Sequence, residues 1–273
     1  MRDLKAGKIT QAVEELVRRA SFILRKDVLS VMKKAYRAEK NIRSRNILKA
    51  ILDNAEFARK ENLAICQDTG MPVIFAYLGQ DVRIRGDFKK AVNRGIASGY
   101  KKYSLRNSIV QDPLLRGKPV FSPCIIHTEI VPGNKLKLIL LPKGFGCENK
   151  SRLKMFNPTA GINQIKEFIA GAVKDAGPDA CPPYVVGVGI GGSADYSAVL
   201  AKEALLLDIS KRPSKLEGLL LKMINKTGIG PMGLGGKTTA LAVKVLTSPT
   251  HIAGLPVSVN ISCHALRSAE VVL

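Results

Sequence analysis

Ile65-Cys66-Gln67-Asp68-Thr69-Gly70-Met71-Pro72 divides this chain into two regimes. Upstream, from Lys8 to Ile65, no Gly or Pro interrupts the sequence. Val13, Leu16, Val17, Ala20 and Leu24 recur at helical spacing, with Glu14, Glu15, Arg18 and Arg19 between them. A second helix is expected from Val28 to Glu39, capped by Asp27. A third is expected to open at Asn41 or Ser44 and to carry Ile47, Leu48, Ile51 and Leu52. Downstream the period changes. Val73-Ile74-Phe75-Ala76-Tyr77-Leu78 is a continuous apolar run of strand length, and Asp81-Val82-Arg83-Ile84-Arg85-Gly86 alternates as a half-exposed strand does. The polar Cys-Gln-Asp triplet therefore sits at a helix-to-strand junction, where rigid elements can hold side chains at a cleft.

The rest of the chain mixes helices and strands. A helix is expected over about residues 88–102, followed by Leu105-Arg106-Asn107-Ser108. Cys124 to Val131 and Lys135 to Leu141 read as the arms of a β-hairpin turning at Pro132-Gly133-Asn134. Lys143-Gly144-Phe145-Gly146-Cys147 reads as a loop whose backbone approaches something closely. Then come a helix over about 159–176, a strand over 185–190, and a helix over 194–207 with Ser193 as its N-cap. An alternating segment, His251 to Cys263, closes the pattern. The fold class is α/β (mixed α+β), a helical layer over about 1–63 and a mixed-sheet catalytic core over about 64–273. No internal repeat or linker appears, so a single domain over 1–273 is expected.

Composition narrows the function. With 46% hydrophobic and 24% charged residues the chain suits a packed soluble protein, and no apolar run approaches a membrane span. Met1-Arg2-Asp3-Leu4-Lys5 has no apolar signal core, so a cytoplasmic protein is expected, without a membrane partner. The net charge of +21 raises a nucleic-acid-binding protein as a different class of function. Against it, the basic residues are dispersed, aromatics are 5% and Trp is absent, leaving few stacking platforms. No nucleic-acid partner is expected; a basic surface also attracts small anionic substrates or an acidic subunit.

Two glycine patterns suggest nucleotides. Gly187-Val188-Gly189-Ile190-Gly191-Gly192 fits G-x-G-x-x-G between a strand and a helix, with Asp208 at about the spacing of a ribose-binding acid. Asp208, however, falls in the last turn of the helix, and no second βαβ unit follows. Gly236-Lys237-Thr238 ends like a P-loop, but Pro231 stands where that pattern needs Gly.

The five cysteines lie at 66, 124, 147, 181 and 263, an odd number without a Cys-x-x-Cys, which argues against a disulfide framework. Cys66, Cys181 and Cys263 each stand at the edge of an element beside polar or glycine-rich residues. They are core filler or soft metal ligands; three thiolates on one iron–sulfur cluster would leave an iron open to substrate.

Cys66-Gln67-Asp68-Thr69-Gly70, Cys181-Pro182-Pro183-Tyr184, Gly191-Gly192-Ser193-Ala194, Gly235-Gly236-Lys237 and Val259-Asn260-Ile261-Ser262-Cys263, in that order, resemble the α-type chain of class I iron–sulfur fumarate hydratases. The related L(+)-tartrate dehydratases share the pattern. The resemblance runs from about residue 10 to the end. It implies a [4Fe-4S] cluster held by Cys66, Cys181 and Cys263, and reversible addition of water to fumarate giving L-malate. It implies substrate contacts from Gln67, Asp68, Arg106, Gly146 and His251, with Asp68 as the catalytic acid/base group. Arg267 also falls on a family arginine position. It further implies a separate β subunit that completes the site, in an α2β2 assembly. The chain departs from the family at Asn107, where Tyr is common after the arginine, and at Cys147, where Ser is common.

Overall fold

The uninterrupted helical period upstream of Ile65 folds as three helices preceded by a short strand. In the computed structural model, which describes residues 2–273, these are β1 (Arg2–Lys5), α1 (Ala6–Phe22), α2 (Lys26–Ala38) and α3 (Ile42–Glu61). Next come β2 (Met71–Gly79), β3 (Val82–Arg85), α4 (Phe88–Lys102), β4 (Ile125–Val131), β5 (Leu136–Lys143), α5 (Phe145–Glu148) and β6 (Arg152–Phe156). The chain continues through α6 (Ile162–Ala176), β7 (Tyr184–Gly192), α7 (Ala194–Ala204) and α8 (Lys215–Asn225). It closes with β8 (Ala240–Thr250), β9 (Leu255–Ser262) and β10 (Ala269–Val272). The mixed α/β class is thus observed. Among the described residues no helix is long and apolar enough to cross a membrane.

Residue contacts divide the chain into two compact units. The first holds the chain up to Arg25, residues 55–144 and residues 267–273; the second holds residues 26–54 and 145–266. The expected helical layer is therefore shared, with α1 in the first unit, α2 in the second, and α3 supplying residues to both.

The first unit is built on a four-stranded sheet of order β10-β5-β2-β4. Its centre is the apolar run read from the sequence: Val73 to Ala76 are all buried, as a strand covered on both faces must be. Ile74 and Ala76 share one core with Leu136, Leu138 and Leu140 of β5 and with apolar residues of α1 and α4. The two helices lie close because Gly95 and Gly99 carry no Cβ: one at Gly95 would come within 2.6 Å of the Thr10 carbonyl, and one at Gly99 within 2.9 Å of Val17. The expected hairpin is not formed. β4 pairs with β2 in parallel and β5 pairs with β2 antiparallel, so β2 lies between the two arms. The fully apolar strand takes the buried central place, and β4, which keeps exposed positions, takes the edge.

The second unit carries a sheet of order β6-β9-β7-β8, with β7 parallel to β8 and antiparallel to β9. Val186, Val188, Val243, Val257, Val259 and Ile261 pack with α6 and α8 in one core. Asn41 caps α3, its Oδ1 accepting from the Ser44 amide at 3.2 Å. Asp27 lies inside the first turn of α2 and instead accepts from the Ile209 amide at 2.9 Å. Ser193 occupies the N-cap position of α7, but its hydroxyl bonds Asp195 rather than the helix backbone.

Candidate active site

In the first unit the Gln67–Gly70 loop is held from several sides. The Ile65 amide bonds the Ser21 carbonyl at 3.1 Å, fixing where the loop leaves the helical segment. Asp68 closes the turn itself, its Oδ1 accepting from the Gly70 amide at 3.0 Å. The buried Arg267 donates Nη2–H to the Asp68 carbonyl at 2.7 Å. The buried Tyr100 hydroxyl faces the Thr69 and Gly70 carbonyls at 3.2 and 3.0 Å. Burial pushes the Tyr100 phenol well above its usual range, the Arg267 charge opposing and Asp68 adding to the shift, so Tyr100 remains a neutral donor. Gly70 has φ +83°, and a Cβ there would stand 2.7 Å from the Pro142 carbonyl carbon; only glycine lets the loop turn so close to β5.

This clamped loop presents three of the sequence-predicted residues. Cys66 is half-buried, with Sγ 3.4 Å from the Gln67 amide oxygen; Gln67 is exposed and Asp68 half-buried. Arg106 is exposed, and its backbone is tied to Thr69, whose hydroxyl bonds the Arg106 amide at 3.1 Å and carbonyl at 3.3 Å. Cys66, Gln67, Asp68 and Arg106 are therefore brought onto one connected piece of backbone. The glycine that approaches Asp68 is Gly144, where a Cβ would lie 3.3 Å from Asp68 Oδ2. Gly146, the predicted substrate contact, lies in the second unit at an exposed position of α5, and a Cβ there would meet nothing within 4 Å among the described residues. Arg267 carries a further signal: it is 3% exposed, and its Nε and Nη1 have no hydrogen-bond partner among the described residues.

In the second unit two of the predicted cluster ligands meet. Cys181 precedes β7 and Cys263 follows β9, and the antiparallel register pairs Val185 with Ser262, placing both cysteines at the same end of the sheet. The main chains touch: the His264 amide bonds the Cys181 carbonyl at 3.4 Å, and the His264 Nδ1 lies 3.1 Å from the same oxygen. Cys181 itself adopts φ +58°, a left-handed conformation that costs a residue with a Cβ about 1–2 kcal/mol. Such strain persists where surroundings over-determine it, often at functional sites. His251 lies on the link between β8 and β9, at the opposite end of the sheet. The eight residues of β9 alone separate it from Cys263 by about 25 Å at strand rise.

Cys66 belongs to the first unit and Cys181 and Cys263 to the second. Among the described residues no group of three or more His, Cys, Asp or Glu side chains is gathered as a metal site. The donor chemistry nonetheless separates the five cysteines. Cys66, Cys181 and Cys263 are half-buried, Cys124 and Cys147 are buried, and none is in a disulfide. Burial pushes the Cys124 thiol up to about 12. Cys147 Sγ lies 3.3 Å from the Ala180 carbonyl within the second core.

Both nucleotide-like patterns are explained by packing. A Cβ on Gly187 or Gly189 would stand 2.0 Å from the Ala201 or Ser197 carbonyl, so these glycines let α7 lie directly against β7. Gly236 packs on Glu39 and Ser44, and Glu39 accepts the Lys237 amide at 2.7 Å while Ser44 bonds the Gly235 carbonyl at 2.6 Å. Thr69, Tyr100 and Gly144 carried no assignment in the sequence. Gly144 was visible as part of a glycine loop, but nothing local marks Tyr100, thirty residues away, as the loop's clamp.

A family model described as Fumarate hydratase (Fumerase) matches residues 10–272. A Methanocaldococcus jannaschii protein named "Putative L(+)-tartrate dehydratase subunit alpha" is 39% identical over 275 residues, covering 96% of each chain. An Escherichia coli K12 protein named "L(+)-tartrate dehydratase subunit alpha" is 28% identical over 270 residues, covering 96% of this chain and 89% of that one.

Proposed function

The chain belongs to the fumarate hydratase family, as the α-type subunit of a hydro-lyase, and on that premise we propose that it catalyses the reversible hydration of fumarate to L-malate with a companion β subunit. The observation that carries this reading is the Gln67–Gly70 loop. There an amide, a carboxylate and, through Thr69, an arginine share one clamped piece of backbone. Arg106 binds a substrate carboxylate, its planar fork matching the two oxygens. Gln67, exposed on the clamped loop, hydrogen-bonds the substrate, and Gly146 lets the substrate approach backbone. Asp68 handles the proton of the hydroxyl that is added or leaves.

Cys66, Cys181 and Cys263 would hold a [4Fe-4S] cluster, being the three half-buried thiols of the chain. When bound, such a cluster supplies an open iron that serves as a Lewis acid toward substrate oxygen. Five cysteines outside disulfides suit a reducing cytoplasm. The companion subunit provides the base for the C3 proton, in an α2β2 assembly. His251, the remaining proposed substrate contact, lies about a strand length from Cys181 and Cys263.

A second reading, dehydration of L(+)-tartrate, is favoured by the names of the two relatives. Anaerobic copurification with the companion subunit, followed by iron analysis and turnover of fumarate, L-malate and L(+)-tartrate, tests both. Iron-containing protein that hydrates fumarate faster than it dehydrates tartrate is expected. The opposite preference selects the second reading, and iron-free, inactive protein after anaerobic reconstitution refutes both.

A further inference from the structure

Three consecutive carbonyls of the loop, those of Asp68, Thr69 and Gly70, face donors from the buried side chains Arg267 and Tyr100. The loop backbone is thereby fixed. Thr69 then passes that fixity on. It is 3% exposed, and its hydroxyl accepts from the Arg106 amide at 3.1 Å and donates to the Arg106 carbonyl at 3.3 Å. A hydroxyl can do both at once; a methyl can do neither. The Arg106 segment has no helix or strand of its own between α4 and the isolated Ile109–Val120 bridge. Ser108 Oγ reaches the Arg106 carbonyl at 3.4 Å, but from two residues along the same segment, so it cannot relate Arg106 to the loop.

We infer that Thr69 is a positioning residue for substrate binding: its hydroxyl fixes the Arg106 backbone, from which the guanidinium arm extends, relative to Gln67 and Asp68. This rests on the reading of Arg106 as a carboxylate-binding group. A dicarboxylate binds with one end on Arg106 and its reacting carbons near Asp68 only if the separation of those two residues is held. Two hydrogen bonds from one side chain hold it. A misplacement of about 1 Å in such a clamp can cost a factor of about a hundred.

The test uses the cluster-loaded complex with its companion subunit, and succinate as a saturated dicarboxylate that cannot react. Thr69→Val keeps the volume and removes both hydrogen bonds; Thr69→Ser keeps the hydroxyl. Thr69→Val is expected to raise the substrate KM and the succinate dissociation constant by roughly tenfold or more, with kcat changed less and iron content unchanged. Thr69→Ser is expected to restore wild-type binding. In an Arg106→Met background the valine substitution should no longer change succinate affinity, because the two act as one unit. A merely structural threonine would show the same penalty in both backgrounds, and that result overturns the inference, as does wild-type succinate affinity in Thr69→Val. Should Thr69→Val not fold, Thr69→Ala removes the same hydroxyl with less steric demand and is read identically. Succinate binding separates the two levels of inference. Wild-type protein that binds succinate through Arg106 but hydrates no substrate overturns the proposed reaction and leaves the Thr69 test in force. Wild-type protein that binds no succinate overturns the Thr69 role itself.

Discussion

At the scale of single residues, the cysteines make the clearest contrast, because environment separates five chemically identical groups. Cys124 is 6% exposed among the apolar residues of the first core, and burial pushes its thiol up to about 12. At pH 8 it is almost wholly protonated, and the thiolate is the nucleophile. Cys147 is likewise buried, whereas Cys66, Cys181 and Cys263 are half-buried. Iodoacetamide at pH 8 is therefore expected to alkylate Cys66, Cys181 and Cys263 in the cluster-free native protein, and to reach Cys124 and Cys147 only after denaturation. Reconstituting the cluster anaerobically should protect the same three. Peptide mapping by mass spectrometry reads both states. Protection of Cys147 in place of one of the three would mean that this departure from the family pattern is a ligand. A Cys124 that labels as fast as Cys66 would mean that the first core opens readily.

At the scale of elements, long periodic segments are legible in the sequence, whereas a cap can be misplaced by a residue or two, as Asp27 inside the first turn of α2 shows, and strand pairing depends on distant partners. α1 was legible because its apolar residues repeat at helical spacing, and β2 because its run is apolar on both faces. The supposed hairpin failed because two apolar arms around a Pro-Gly-Asn turn look alike whether they pair with each other or flank a third strand; nothing local reports that β2 inserts between them. The candidate site divides the same way. Its motif residues stood out, while the clamps from Tyr100 and Arg267 reach the loop from 30 or more residues away. The glycine pattern in β7 is the instructive case, since it fits a nucleotide motif yet answers a packing demand. A Cβ on Gly189 would sit 2.0 Å from the Ser197 carbonyl, so Gly189→Ala must push α7 off the sheet. A loss of about 1–3 kcal/mol is expected, as for other overpacked cores. Urea unfolding reads it, with Gly171→Ala in α6 as the control, since a Cβ there meets nothing within 4 Å among the described residues. The control should be neutral or slightly stabilising, because alanine favours helix over glycine. A Gly189→Ala midpoint equal to the control's would mean that α7 does not lie against β7 as described.

At the scale of the whole molecule, the net charge of +21 needs a physical use, since so much like charge opposes compactness. Many of the acidic groups are already engaged in local ion pairs. Glu15 with Arg18, Glu56 with Arg59, Asp3 with Arg85, and Glu14 with Lys102 all pair at or near the surface. The surplus positive charge therefore remains as a long-range field rather than as contacts. On the proposed reading such a field would attract a dicarboxylate before any specific contact forms, and the exposed Arg106 would then bind it. Salt distinguishes the two stages. The field is screened over about 10 Å at 0.1 M salt and about 3 Å at 1 M, while a bidentate contact at bonding distance is screened much less. Raising sodium chloride from low to high concentration is accordingly expected to raise the KM for a dianionic substrate several-fold, as steering of on-rates implies, with a smaller change in kcat. Steady-state kinetics across the salt series reads this directly. In Arg106→Met, KM should start higher yet keep the same slope against salt, because the field belongs to the whole surface and not to that residue. A wild-type KM independent of salt would show that the basic surplus is directed at something other than substrate, and the companion subunit would then be the group expected to carry the complementary negative charge.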